Sequence, residues 1–173
     1  TQETFAAIGK MGIALLVALI GTPMSELATV IAEYQAAWRA AGHPGQGEVR
    51  LRLPIYVAET LHKAQADPRP YVMSYYERLR QGYLRSAQRF EGAARAARAV
   101  QLAALTYEEV LQERVVLGTP RSVVEQLRTL RQTLGLSGII IEPNVGGGLP
   151  PELVSRSLHL FTREVAPHLR EEA

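Results

Sequence analysis

The chain has 173 residues, 47% of them apolar and 21% charged, with a formal net charge of +2. That balance excludes a disordered chain and is enough for one globular domain with a sizeable core. Cysteine is absent, which excludes a disulfide scaffold, a thiolate metal site, an iron–sulfur cluster and a thiol nucleophile.

Thr1 to Met11 reads as a short helix with Thr1 as its N-cap and Phe5, Ile8 and Met11 on one side. Ile13 to Ile20 is a continuous apolar run, the pattern of a buried strand in a parallel sheet. Gly12–Gly21, with Lys10 before it, also resembles the apolar stretch of a signal peptide. It is too short to span a bilayer, and Thr22-Pro23-Met24-Ser25 is a poor cleavage site. Ser25 to Ala41 predicts an amphipathic helix carrying Leu27, Val30, Ile31, Tyr34 and Trp38 on one face and stopped by Gly42. Glu48 to Ala58 alternates strictly, with Val49, Leu51, Leu53, Ile55 and Val57 on one side and Arg50, Arg52, Pro54, Tyr56 and Ala58 on the other. That is a strand.

The middle changes character. After the breaker Asp67-Pro68-Arg69-Pro70, the segments Tyr71–Phe90 and Glu91–Leu105 are helical and rich in Arg, Ala and Gln. Thr106 and Glu109 form a capping box for a further turn or two. Regular alternation resumes at Gly118-Thr119-Pro120, with Thr119 as N-cap and Pro120 at the first helical position. The helix that follows carries Val123, Val124, Leu127, Leu130 and Leu134 and ends at Gly135. Ile139–Ile141 is a short buried strand, and the glycine-rich loop Asn144–Gly148 leads through Pro150-Pro151 into a last helix reaching about Leu169.

This order of elements predicts parallel strands joined by helical crossovers. Only three clear strands emerge, which leaves a sheet with two open edges and little core. The cations are 17 Arg against 2 Lys, a composition that permits anion binding. They form no concentrated basic block, so a nucleic-acid partner is not expected. The four histidines are scattered without metal-ligand spacing, and there is no carboxylate dyad, no Gly-x-Ser-x-Gly elbow and no P-loop.

Three segments carry a resemblance. Thr1-Gln2-Glu3-Thr4-Phe5, running on to Gly9 and Gly12, is similar to the Ser/Thr-x-Glu-Thr-Phe helix of the luciferase-like flavin-dependent oxidoreductases. Pro54-Ile55-Tyr56-Val57-Ala58-Glu59-Thr60 resembles that family's strand ending in Val-Ala-Glu/Asp-Thr. The stretch Gly118–Leu127, followed by Leu134-Gly135-Leu136, Ile140–Gly147, Arg156–Phe161 and Glu164–Pro167, resembles its C-terminal signature.

The resemblance implies a TIM-type barrel of eight strands that binds a flavin at the C-terminal ends of its strands. The chain would supply the last three strands, with the first five absent. Residues 1–173 would form one partial-barrel α/β domain with a helical insertion at about 61–114. The cofactor would be FMN or a deazaflavin relative, and the partners a small-molecule substrate and flavin, without nucleic acid or membrane. A cytoplasmic location follows from the same reading, as does either a homo-oligomer or association with the missing N-terminal part. Hydroxyls at Thr1 and Thr4 would help hold the FMN phosphate at a helix N-terminus, where free amides and the dipole attract an anion. The alkanesulfonate monooxygenase branch has an Arg-x-His pair on the strand that here reads Arg52-Leu53-Pro54. The arginine is present and the histidine is not. Arg52 could bind an anion by charge-assisted hydrogen bonds or form an inter-strand salt bridge. Thr22, Glu142, Asn144, Gly146 and Gly147 would lie at the barrel mouth, the glycines serving either close ligand approach or an ordinary turn. The alternative to a flavin enzyme is a non-catalytic half-barrel acting as an oligomeric assembly module.

Overall fold

The computed structural model describes residues 2–19, 23–90 and 92–170. In chain order the elements are α1 (Gln2–Lys10), β1 (Leu15–Ala18), α2 (Met24–Ala40), β2 (Val49–Val57), α3 (Leu61–Ala66), α4 (Arg69–Phe90) and α5 (Ala93–Ala103). They continue with α6 (Tyr107–Glu113), β3 (Val116–Gly118), α7 (Pro120–Leu134), β4 (Gly138–Glu142), α8 (Pro151–Leu160), a π-helical turn (Phe161–Val165) and α9 (Ala166–Arg170).

Strand β2 organises the sheet. It pairs in parallel with β1, from Leu15 beside Val49 to Ala18 beside Arg52. It also pairs in parallel with β4, from Gly138 beside Arg50 to Glu142 beside Pro54. These are the three strands the hydrophobic pattern predicts. A fourth, β3, is too short to show a period; it pairs with the last three residues of β2, Ile55–Val57. The first strand is shorter than its apolar run, beginning at Leu15.

Alternation gives β2 two unlike faces. Val49, Leu51, Leu53, Ile55 and Val57 are all buried and pack with Leu27, Ile31 and Tyr34 of α2 and Val123, Val124 and Leu127 of α7. On the opposite face Arg50 and Arg52 are exposed, and so are their neighbours Leu16 on β1 and Ile140 on β4. Farther along that face, Tyr56 and Ala58 are buried in a second apolar cluster with Ala64, Val72, Tyr76, Tyr107 and Val110, contributed by α3, α4 and α6. Helices α3–α6 therefore cover the C-terminal end of the inner face and leave its N-terminal half open.

Local chemistry sets the joints. Thr119 accepts from the Ser122 amide and Pro120 follows it, while Gly135 takes a left-handed conformation that ends α7. The Thr106–Glu109 capping box forms as its residue types require. Near the end of the chain, Pro167 has no amide proton and its ring crowds the carbonyl four residues back. The helix widens into the π turn next to it. Tyr34, fully buried, ties the starts of two strands together: its hydroxyl reaches the Ile13 carbonyl at 3.0 Å and the Glu48 carbonyl at 3.3 Å.

Helices α1 and α2 cross at Gly9, where a Cβ atom would stand 2.4 Å from the Tyr34 carbonyl oxygen. Gly82, in the middle of α4, has nothing within 4 Å of the same position. Gly9→Ala should therefore lower stability by about 1–3 kcal/mol, and Gly82→Ala should raise it by about 0.5–1 kcal/mol. Denaturant unfolding of the two variants measures both signs.

Candidate functional site

Both α1 and α2 finish near Gly12 and His43, where the His43 ring packs on Gly12 and on Trp38 and its Nε2 lies 3.0 Å from the Lys10 carbonyl. The two helices thus run side by side, back from the C-terminal end of the sheet toward the start of β1. The N-terminal turn of α1, with Thr4 exposed on it, lies at the same end as the C-terminal ends of the strands. Thr1 and Thr22 lie outside the described residues.

Arg52 and Glu142 meet on the inner face where β1 and β4 finish, level with the middle of β2. The residues paired in parallel strands share a face, and Glu142 stands diagonally beyond Arg52, their charged groups 3.2 Å apart and both partly exposed. The inter-strand salt bridge considered for Arg52 is present, and it lies on the open inner face. A pair this exposed contributes little to stability, about 0–1 kcal/mol. It holds a guanidinium and a carboxylate where the sheet faces outward.

The loop after β4 is built by its own residues. The Asn144 side-chain oxygen accepts from the amides of Gly148 and Leu149, each at 3.0 Å, and the Gly147 amide donates to the Asn144 carbonyl. Gly146 has φ +78° and presses on α4, where a Cβ atom would meet the Tyr71 carbonyl oxygen at 2.4 Å. Its close backbone approach is to this chain's own helix. The Arg78 guanidinium donates to the Gly146 carbonyl at 2.7 Å and fastens the loop from α4. Gly147, by contrast, has open space around it.

Four further residues join this end. Tyr75, on α4, feels the charges of Glu142, Arg52 and Arg78, and burial raises its phenol above the ordinary value. The neighbouring Tyr76 is buried, and its ring lies 5.6 Å from the Arg114 guanidinium carbon. Arg114 follows α6 and is itself buried. The one available signal was an arginine among apolar residues at helical spacing, Val110, Leu111 and Leu117. Glu113, beside it in sequence, accepts from the Ser25 amide at 2.9 Å and so closes the first turn of α2, which Pro23 leaves without a side-chain cap.

Among the described residues no group of three or more His, Asp or Glu side chains could hold a metal. No described helix is long and apolar enough to cross a membrane.

The chain belongs to the luciferase-like monooxygenase family, whose model matches residues 1–137. No curated protein matches it in sequence. Among solved structures, the monooxygenase RslO1 from Streptomyces bottropensis is 21% identical at a TM-score of 0.63, over 98% of this chain and 46% of that one. The oxygenating constituent of 3,6-diketocamphane monooxygenase from Pseudomonas putida, in complex with FMN, is 19% identical at a TM-score of 0.64, over 95% of this chain and 45% of that one. The coenzyme F420 dependent tetrahydromethanopterin reductase from Methanopyrus kandleri is 14% identical at a TM-score of 0.63, over 97% and 48%. At these identities the likeness is one of fold. The chain spans about half the length of these structures, and its parallel sheet with flanking helices matches part of their luciferase-like TIM-barrel fold.

Burial raises three further phenols besides Tyr75 in this half of the molecule. Tyr76 is pushed up to about 12 against the pull of Arg114, Tyr107 to about 12 against Arg69, and Tyr56 higher still, helped by Asp67. In the unfolded chain each ionises near pH 10. The stability tied to keeping them neutral is complete below about pH 10 and lost as pH rises toward 12. The melting temperature should fall over that interval. Tyrosine ionisation, followed by absorbance in the native state, should lag behind that of the unfolded chain.

Proposed function

We propose that this chain is the C-terminal part of a flavin-dependent oxidoreductase, with its ligand end where β1 and β4 finish beside the middle of β2. The observation that carries the reading is the Arg52–Glu142 pair, set on the inner face of a luciferase-like partial barrel at the end where barrel enzymes place their ligands. In this reading residues 1–173 act as one unit, with the helices of about 61–114 added over the inner face.

The residues present fit an anionic flavin. The N-terminal turn of α1 offers amides and the helix dipole to a phosphate, Thr4 adds a hydroxyl on that turn, and the turn faces the strand ends. FMN or a deazaflavin relative, when bound, would supply hydride transfer or oxygen activation. Thr4, and Thr1 with it, would hold the phosphate. Arg52 would face the substrate or the flavin edge as a fixed cation, and Glu142 would keep that cation in place. Asn144, Gly146 and Gly147 would shape the rim of the mouth, and Thr22 would be a further contact candidate. The substrate is a small organic molecule. The remaining barrel strands, from the same polypeptide or from another copy, would cover the open inner face, on which Leu16 and Ile140 are exposed.

The test is flavin binding by the full reading frame that contains this chain, by absorbance and fluorescence titration. One flavin per chain is expected, with Thr4→Ala weakening FMN about tenfold, as loss of a hydrogen bond to a charged group does. Absence of flavin binding, together with a stable oligomer in light scattering, would instead favour the non-catalytic assembly module.

A further inference from the structure

Arg114 is the one described charged side chain that is buried, with 9% of its surface exposed. Its Nε and Nη1 have no hydrogen-bond partner. An arginine does not lose its proton to escape burial, and a buried charge without a counter-charge is strongly unfavourable. The Tyr76 ring lies 5.6 Å from the guanidinium carbon and its hydroxyl accepts from the guanidinium, both neutral contacts and weaker partners than an anion.

Three described carboxylates near Arg114 are engaged elsewhere, and the first of them, Glu113, accepts from the Ser25 amide at 2.9 Å. Glu109 shares its field with Arg114, yet its oxygen is held by the Thr106 amide at 2.8 Å and the Thr106 hydroxyl at 3.0 Å. Glu142, which acts on the same Tyr76, is paired with Arg52. Among the described residues no ion pair reaches Arg114, which stands as a permanent cation in a largely apolar setting with two donors unused.

We propose that Arg114 anchors an oxyanion-binding site that takes the carboxylate or phosphate group of a small-molecule ligand. This deepens the flavin-enzyme reading and rests on its placement of the ligand end. Its test uses no flavin, so the failure of one is distinguishable from the failure of the other. The oxyanion accepts from Nε and Nη1, and Tyr76 walls the guanidinium on one side. Because the charge is already desolvated, each hydrogen bond it makes to an anion is stronger than on an open surface.

The experiment is thermal unfolding of the chain against sodium phosphate and, separately, sodium acetate, with sodium chloride holding ionic strength constant. Wild type should gain stability saturably with at least one of them, by about 3–6 °C at ten times its dissociation constant. A response to acetate alone assigns a carboxylate, and a response to phosphate alone a phosphate group. Arg114→Met should lose the response and melt no lower than wild type without the anion, because the unpaired charge is gone. A wild type indifferent to both anions, or an Arg114→Met variant that still responds, overturns the proposal. So does a folded variant that melts well below wild type in the absence of either anion, which would mark Arg114 as structural. If Arg114→Met fails to fold, the Arg114 Nε–H signal of the labelled wild type decides: a saturable shift on adding either anion supports the site, and no shift overturns it.

Discussion

The structure depends on the two unlike faces of β2. One row of aliphatic side chains, Val49 to Val57, is buried against helices, and the other row begins with two exposed arginines. Period-two alternation makes this a rigid constraint, because a slip of one residue would bury Arg50 and Arg52 and expose the core. The register with β1 and β4 follows from it, and with the register comes the diagonal approach of Arg52 and Glu142. The site is a consequence of the pattern that makes the strand.

That constraint also explains how the helices divide their work. Helices α2 and α7 cover the aliphatic face, as in any parallel sheet whose strands need cover. Helices α3–α6 do something different: they close over Tyr56 at the far end of the inner face and bring tyrosines and arginines to it. Arg78 fastens the loop after β4, Glu113 closes the first turn of α2, and Arg114 lies buried against Tyr76. The segment that has the weakest apolar pattern in the chain therefore adds polar groups of its own beside the Arg52–Glu142 pair.

Much of the fold was legible in the sequence. The strict alternation of Glu48–Ala58, the Thr119-Pro120 start, the Gly135 stop and the Thr106–Glu109 box each have a local physical cause, and each forms. Strand β3 was not legible, because three residues are too few to show a period and their pairing is to a distant strand. At the site, Arg52 and Glu142 were legible as candidates, though not as a pair, since the register between β2 and β4 decides their approach. Gly146 was expected at a turn or against a ligand; it presses on the α4 backbone, a contact between segments far apart in sequence. Arg114 escaped notice because burial, unlike residue type, is a property of the whole fold.

Ligand chemistry belongs to the end of the sheet where β1 and β4 finish. Hydrogen–deuterium exchange of the full reading frame, with and without FMN or its deazaflavin relative, tests it most directly. The account predicts that ligand slows exchange in the first turn of α1 and in residues 142–148, and leaves the turn from His43 to Gly47, at the opposite end, unchanged. Protection confined to the His43–Gly47 end would contradict it.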